Sequence, residues 1–337
     1  IKFLTEIKRK YDFNYIVQKI NKVSEKNFSV IGEIIFDKYN ICDPIGISGK
    51  DPFLVLKKRI SQLYIGGTFS ISKNISSFSK KIKLFSFYNK KKRELFLKKN
   101  RTKNLYLNLI KSKYLNDIEK VRYVDKVSSN KIIGVYNYSE LNENKIFFKN
   151  LIDQLKKKLD KNFIVADYGH NFISSETKKF ISSKKYKFVL NAQVNSINRG
   201  YHGLFKYKFP LAIVINESEL RYELKDKFSR IETLMKKLKK NLSSKNIIVT
   251  MGKQGSILLN EKNKFIKCPS FYEKVVDKVG AGDVLFGVYS VLKFTNVEDD
   301  LSLFISTVAA GHAVSFLNNK EQIDKKFIIN KIENILK

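Results

Sequence analysis

Three patterns in the 337 residues imply an α/β architecture: a central, mostly parallel sheet with helices on both faces and a small β lid. Short runs such as Phe28–Phe36, Phe163–Ala166, Phe188–Asn191, Leu211–Ile215 and Asn246–Thr250 are almost wholly apolar and rich in β-branched residues, as strands buried on both faces must be. These runs alternate with amphipathic stretches of helical period, of which 139–160 (Leu141, Ile146, Phe147, Leu151, Leu155, Leu159) is the plainest. Finally, Tyr39–Tyr64 is dense in turn formers around Asp43-Pro44 and Asp51-Pro52 with short apolar runs beside them, which predicts strands leaving the main sheet as a lid.

Length and composition fit one large α/β domain or two smaller ones. The formal charge of +33 raises nucleic acid or a membrane surface as partners, but only eight of the 65 basic residues are Arg, and Lys is spread over exposed helix faces such as Lys236–Lys240. A nucleic-acid module clusters its charge and favours Arg for bidentate contacts, so neither partner is expected. Cys42 and Cys268 lie far apart in sequence without His partners, which suggests neither a disulfide framework nor a zinc site but reduced thiols. No apolar run approaches the roughly 18 residues that span a bilayer, and the Lys-rich start is not signal-like. A cytoplasmic location is expected.

Residues 1–27 carry apolar side chains at helical spacing (Phe3, Ile7, Tyr11, then Ile16, Ile20, Val23), a helical leader or linker. The chain begins with Ile1 rather than Met, which suits a removed upstream segment. Phe28–Phe36 is the first core strand. Asp37 ends it, either as a turn-capping carboxylate or as an acceptor of hydrogen bonds from a polyol at the strand's carboxyl end. Gly49-Lys50 is not a P-loop, since Pro44 and Asp51 stand where its first Gly and its Ser or Thr belong. Ile65-Gly66-Gly67 then opens an amphipathic stretch to Phe78; the glycines let a ligand approach the backbone, and Asn74 offers a donor and an acceptor. Lys81–Tyr88 reads as a second core strand, Lys90–Asn100 as a solvated helix or loop, and Ile118–Val124 and Lys131–Tyr138 as strands.

Farther on, His170 follows the strand ending at Asp167, and Gln193, Asn195 and Asn198 follow Phe188–Asn191; each can touch a substrate or simply occupy its loop. In Asn216-Glu217-Ser218-Glu219, Asn216 can cap a helix with Glu219 reaching back, and the same oxygens suit Mg²⁺ held with several waters. In the stretch from Val276 to Gly287, Gly280, Ala281 and Gly282 form a small turn opening a helix whose apolar face is Val284, Leu285, Val288 and Leu292. The unpaired N–H groups of such a turn hold an anion. Asp283 in the first turn is favoured by the helix dipole, and it can also take a proton from a hydroxyl beside that anion hole.

Asp277-x-x-Gly280-Ala281-Gly282-Asp283 resembles the signature of the ribokinase-like (PfkB) carbohydrate kinases. Gly66-Gly67 with Asn74 resembles that family's amino-terminal motif, and Thr250-x-Gly252-x-x-Gly255 its nucleotide loop. Val30–Tyr39, Asp167-Tyr168-Gly169-His170 and Asn191–Ser196 are similar to a subgroup related to heptose-phosphate kinases, a likeness running from Phe28 to the C-terminus. The resemblance implies a ribokinase-like three-layer fold over 28–337, with lid segments at about 39–64 and 116–138. It implies ATP and Mg²⁺ as cofactors, Asp283 as catalytic base, and Gly280, Ala281 and Gly282 as the anion hole. Asn216 and Glu219 would organise Mg²⁺, partly through water, while Thr250, Gly252 and Gly255 contact the nucleotide and the small-residue helix at Leu301–Phe316 borders the adenine. Asp37, Gly66, Gly67 and Asn74 would orient the sugar, with Lys120 and Arg122 holding a phosphate on it. A fused amino-terminal nucleotidyltransferase domain and a homodimer through the lid complete the expected partners.

Two departures stand out. Lys278-Val279 replace a usual Thr pair, and Thr68–Lys73 is bulkier and more polar than the expected small-residue run. A catalytically weak or inactive binding or scaffold domain, and a nucleoside or other small-alcohol kinase on the same fold, are the alternatives.

Overall fold

The computed structural model describes residues 2–139, 144–193, 203–272, 279–315 and 322–337. Helices α1 (Lys2–Lys10) and α2 (Phe13–Val23) lead into strand β1 (Asn27–Gly32). A long hairpin of β2 (Ile34–Ile47) and β3 (Leu54–Gly67) returns into α3 (Thr68–Ser76), followed by β4 (Lys81–Tyr88), α4 (Lys91–Asn100) and β5 (Leu105–Lys111). A second hairpin, β6 (Ile118–Asp125) and β7 (Lys131–Asn137), precedes α5 (Lys145–Lys158), β8 (Asn162–Asp167), α6 (Ser175–Ile181) and β9 (Lys187–Ala192). Then come β10 (Ala212–Asn216), α7 (Glu217–Leu224), α8 (Ile231–Leu242), β11 (Asn246–Thr250), β12 (Ser256–Leu259) and β13 (Phe265–Cys268). Helices α9 (Ala281–Phe294), α10 (Asp299–Ala313) and α11 (Lys325–Leu336) close the chain.

The core sheet runs β13-β12-β11-β10-β9-β8-β1-β4-β5. All pairings from β11 to β5 are parallel, and β12 and β13 add an antiparallel edge. Its central strands are buried along nearly their whole length, which explains their unbroken apolar runs. From β1 the chain proceeds to β4 and β5 on one side and to β8 onward on the other. That reversal opens a crevice outside the carboxyl ends of the strands.

The lid is a separate four-stranded sheet, β3-β2-β6-β7. It begins closer to the core than the turn formers suggest, because the expected strand Phe28–Phe36 is two strands. Gly32 (φ +150°) bends the chain out of the core, and a Cβ there would strike the Ala166 carbonyl of β8. Only a residue without a side chain permits that approach. The helix expected over 139–160 is described from its cap onward, where Asn144 accepts the Phe147 N–H at 2.9 Å. The leader packs on the domain: Ile16, Ile20 and Val23 of α2 are buried, Tyr11 bonds Asp300 at 2.8 Å, and Tyr15 bonds Glu298 at 2.6 Å.

Candidate active site

Gly280 is left-handed (φ +86°) at the N-cap of α9 and supplies no side-chain cap, so the first amides of the helix face outward. A Cβ at Gly282 would meet nothing within 4 Å, and the same holds at Gly252, whose φ is +57°. Backbone bordered by such space fits a phosphate. Asp283, one residue on, is partly buried at the mouth of the helix. Its Oδ1 accepts hydrogen bonds from the Tyr168 hydroxyl at 3.2 Å and the Gln193 amide at 3.0 Å. Burial, with a smaller push from Asp37, raises its pKa to about 6, while Tyr168, Gln193 and Lys120 pull it down.

On one side of Asp283 lies a cavity of about 650 Å³. Asn216 and Thr250, neighbours at the ends of β10 and β11, line it with Gly252, Gly255, Ala281 and Gly282. Phe271, Leu285, Ala310 and Gly311 give it an apolar end, whereas Ala309 is packed in the core. The close fit of α10 requires Gly311, because a Cβ there would strike the Phe271 carbonyl. Glu217 and Ser218 border the cavity. Glu219 forms a capping box with Asn216: the Asn216 N–H reaches Glu219 Oε2 at 3.1 Å, and the Glu219 N–H reaches Asn216 Oδ1 at 2.8 Å. Among the described residues no group of three His, Cys, Asp or Glu side chains could hold a metal ion.

The lid covers the other side. Parallel register places Asp37 of β2 beside Lys120 of β6, and Tyr39 beside Arg122. Arg122 is hydrogen-bonded to Asp37 and lies over the rings of Tyr39 (5.2 Å) and Tyr136 (6.0 Å), while Lys120 lies 5.6 Å from the Tyr136 centroid. A Cβ on Gly66 would come within 2.6 Å of Asp37 Oδ2, so the carboxylate rests on bare backbone. Burial lowers the Lys120 pKa, while Asp37, Asp283 and Glu33 all favour its charged form. Asp37, Lys120 and Asp283 therefore belong to one electrostatic cluster. Gly67 (φ +62°) caps α3. Asn74, by contrast, is buried and accepts the Ile323 N–H at 3.1 Å, which ties α3 to the C-terminal segment.

His170 is buried beside Tyr138 and donates its backbone N–H to Glu33 at 3.1 Å. Asn195, Asn198, Asp277 and Lys278 lie outside the described residues. Sequence reasoning missed Glu33 and Tyr168. Glu33 is fully buried and also accepts the Tyr168 N–H at 3.0 Å; burial and the nearby Asp167 push its pKa up to about 8. Asp167 in turn holds Lys178 at 3.1 Å and accepts the Tyr207 hydroxyl. A lone carboxylate after Gly32 inside an apolar run was the available signal.

The profile of the pfkB family carbohydrate kinases matches residues 30–315. Bifunctional protein HldE of Campylobacter jejuni (strain RM1221) is 25% identical over 301 residues, covering 86% of this chain and 60% of that protein. Bifunctional protein HldE of Helicobacter pylori (strain HPAG1) is 23% identical over 321 residues, 88% of this chain and 65% of its own length. The chain thus spans about three fifths of these curated relatives. Among solved structures, phosphofructokinase-2 from Escherichia coli superposes with a TM-score of 0.73 at 15% identity, covering 93% of this chain and 99% of that one. Ribokinase from Thermotoga maritima gives 0.69 at 17% identity, covering 91% and 99%. With a ribokinase-like sheet, a glycine turn leading into an acidic helix start, and a family match across most of its length, the chain belongs to the pfkB family of carbohydrate kinases.

Proposed function

We propose that this kinase uses ATP to phosphorylate a hydroxyl of a sugar phosphate, with heptose phosphates the first candidates. One observation carries the reading: Asp283 lies between a glycine-lined cavity and a lid bearing Lys120 and Arg122. In the reaction the acceptor O–H proton passes to Asp283, the freed oxygen bonds the terminal phosphorus, and the bond to the departing ADP oxygen breaks. The amides of the Gly280–Gly282 turn face the transferring group and stabilise its charge. Thr250, Gly252 and Gly255 line the nucleotide's side of the cleft. Asn216 and Glu219 fit Mg²⁺ held largely by water and phosphate, an ion that would neutralise phosphate charge. Asp37, Gly66 and Gly67 would orient the sugar, and Lys120 and Arg122 would take its phosphate. The bond from Asn74 to Ile323 gives that residue a structural part instead.

The lid also presents exposed Ile45, Ile47, Ile60, Ile133 and Val135, apolar surface that suits a homodimer through the lid. A cytoplasmic setting and a fused nucleotidyltransferase, as the length of the bifunctional relatives suggests, belong to the same proposal. The test is an ATP-consumption screen over heptose, hexose and pentose phosphates beside free sugars and nucleosides. Phosphorylated acceptors should win; stabilisation by Mg·ATP with no consumption on any acceptor would instead identify a binding module.

A further inference from the structure

The side chains touching Asp283 give it an orientation as well as a place. Tyr168, on the turn after β8, and Gln193, just past β9, both donate to Oδ1, at 3.2 and 3.0 Å. Among the described residues no hydrogen bond reaches Oδ2. Two donors on one carboxylate oxygen hold the group against rotation and occupy that oxygen's lone pairs, leaving the other oxygen open to a proton. We infer that Tyr168 and Gln193 are positioning residues for phosphoryl transfer: they anchor Oδ1, so that Oδ2 is the oxygen that takes the acceptor's proton. The inference rests on Asp283 being the base. In the step, the acceptor O–H bond breaks and its proton goes to Oδ2. The electron pair left on oxygen forms the new O–P bond while the P–O bond to ADP breaks.

Tyr168 is itself held in place. Its side chain is buried, and Glu33 grips the turn through the N–H groups of Tyr168 (3.0 Å) and His170 (3.1 Å). Burial and the facing Asp283 keep the phenol protonated well above its ordinary range, so it remains a donor wherever Asp283 titrates. The charged groups acting on Asp283 from the lid are Asp37 of β2, which favours its protonated form, and Lys120 of β6, which opposes it. Tyr168→Phe changes neither.

Tyr168→Phe keeps the ring and removes only the donor. We expect kcat to fall about tenfold, as for a misplaced catalytic group, with KM for ATP unchanged within about twofold. The acidic limb of the kcat–pH profile should move upward, because losing a donor to a carboxylate favours its protonated form. An NMR titration of the Asp283 carboxyl, identified by its loss in Asp283→Asn, should show the same upward move without any turnover. Adding Tyr168→Phe to Asp283→Asn should leave the residual rate unchanged within about twofold, since the two act as a unit. Gln193→Met carries the same test should the Phe variant fail to fold. A Tyr168→Phe enzyme that loses only thermal stability, with kcat, limb and Asp283 titration as in the wild type, overturns the inference. Normal turnover by Asp283→Asn overturns instead the base assignment beneath it.

Discussion

The two sides of Asp283 are built from different materials. Toward the cavity the walls are main chain and small or apolar side chains, with Gly252 and Gly282 bordering open space and Gly311 bringing α10 close. Toward the lid they are long charged side chains on strands, with Arg122 already paired to Asp37 and stacked beside Tyr39 and Tyr136. Backbone amides need no side-chain rearrangement to meet a ligand, so in the proposed reaction the first wall would recognise what every phosphate shares. The second would have to exchange one ion pair for another, so in the proposed reaction its selectivity would depend on which acceptor charge replaces Asp37.

The sharpest way to break this division is at its centre. Asp283→Asn should lower kcat by about 10²- to 10⁴-fold, the range for loss of a general base, while calorimetry still detects Mg·ATP binding. Arg122→Ala should raise KM for a phosphorylated acceptor by about 30-fold, the lower end of the cost of unpairing a hydrogen-bonded charge because this pair is only partly buried, and leave KM for ATP unchanged. Equal effects on both substrates would mean that the two walls are not separate. Gly311→Ala probes the opposite wall: its methyl group must displace Phe271, costing about 1–3 kcal/mol of stability by overpacking and raising KM for ATP several-fold, read by denaturation and steady-state kinetics.

The smallest effect concerns pH. The folded-state pKa of Asp283, about 6, lies above its ordinary 3.8, so the folded protein holds the extra proton between those values and stability falls as pH rises through them. Asp283→Asn should therefore melt on the order of 2 °C higher than the wild type at pH 8 and no higher at pH 3.5. In the active enzyme the same group should make kcat/KM rise with pH through about 6.

The 280–282 turn was legible because small residues before an apolar helical face report backbone geometry directly, whereas Gly252 and Gly255 were picked out by their resemblance to a family loop; neither needed knowledge of strand order. The apolar strands were legible for a similar reason, since burial on both faces leaves no alternation to misread. The partners of Asp283 were not. Tyr168 and Gln193 reach it only because β8 and β9 stand between β1 and β10, an order that sequence position does not state. The bend at Gly32 and the strand β5, whose Tyr106 and Asn108 interrupt its apolar run, were likewise set by tertiary contacts. Asn74 had the right residue type and spacing but found a backbone partner in Ile323.

Glu33 joins two parts of the molecule, the lid and the turn beside Asp283. Its carbonyl receives the Thr68 N–H at 3.0 Å where β3 re-enters the core, its own backbone begins the departure into β2, and its carboxyl carries the turn of Tyr168. The lid's base and the turn whose Tyr168 holds Asp283 thus hang from a single residue. In the proposed reaction, an acceptor seated against the lid would therefore press on the support of Asp283 as well, linking its capture to its deprotonation.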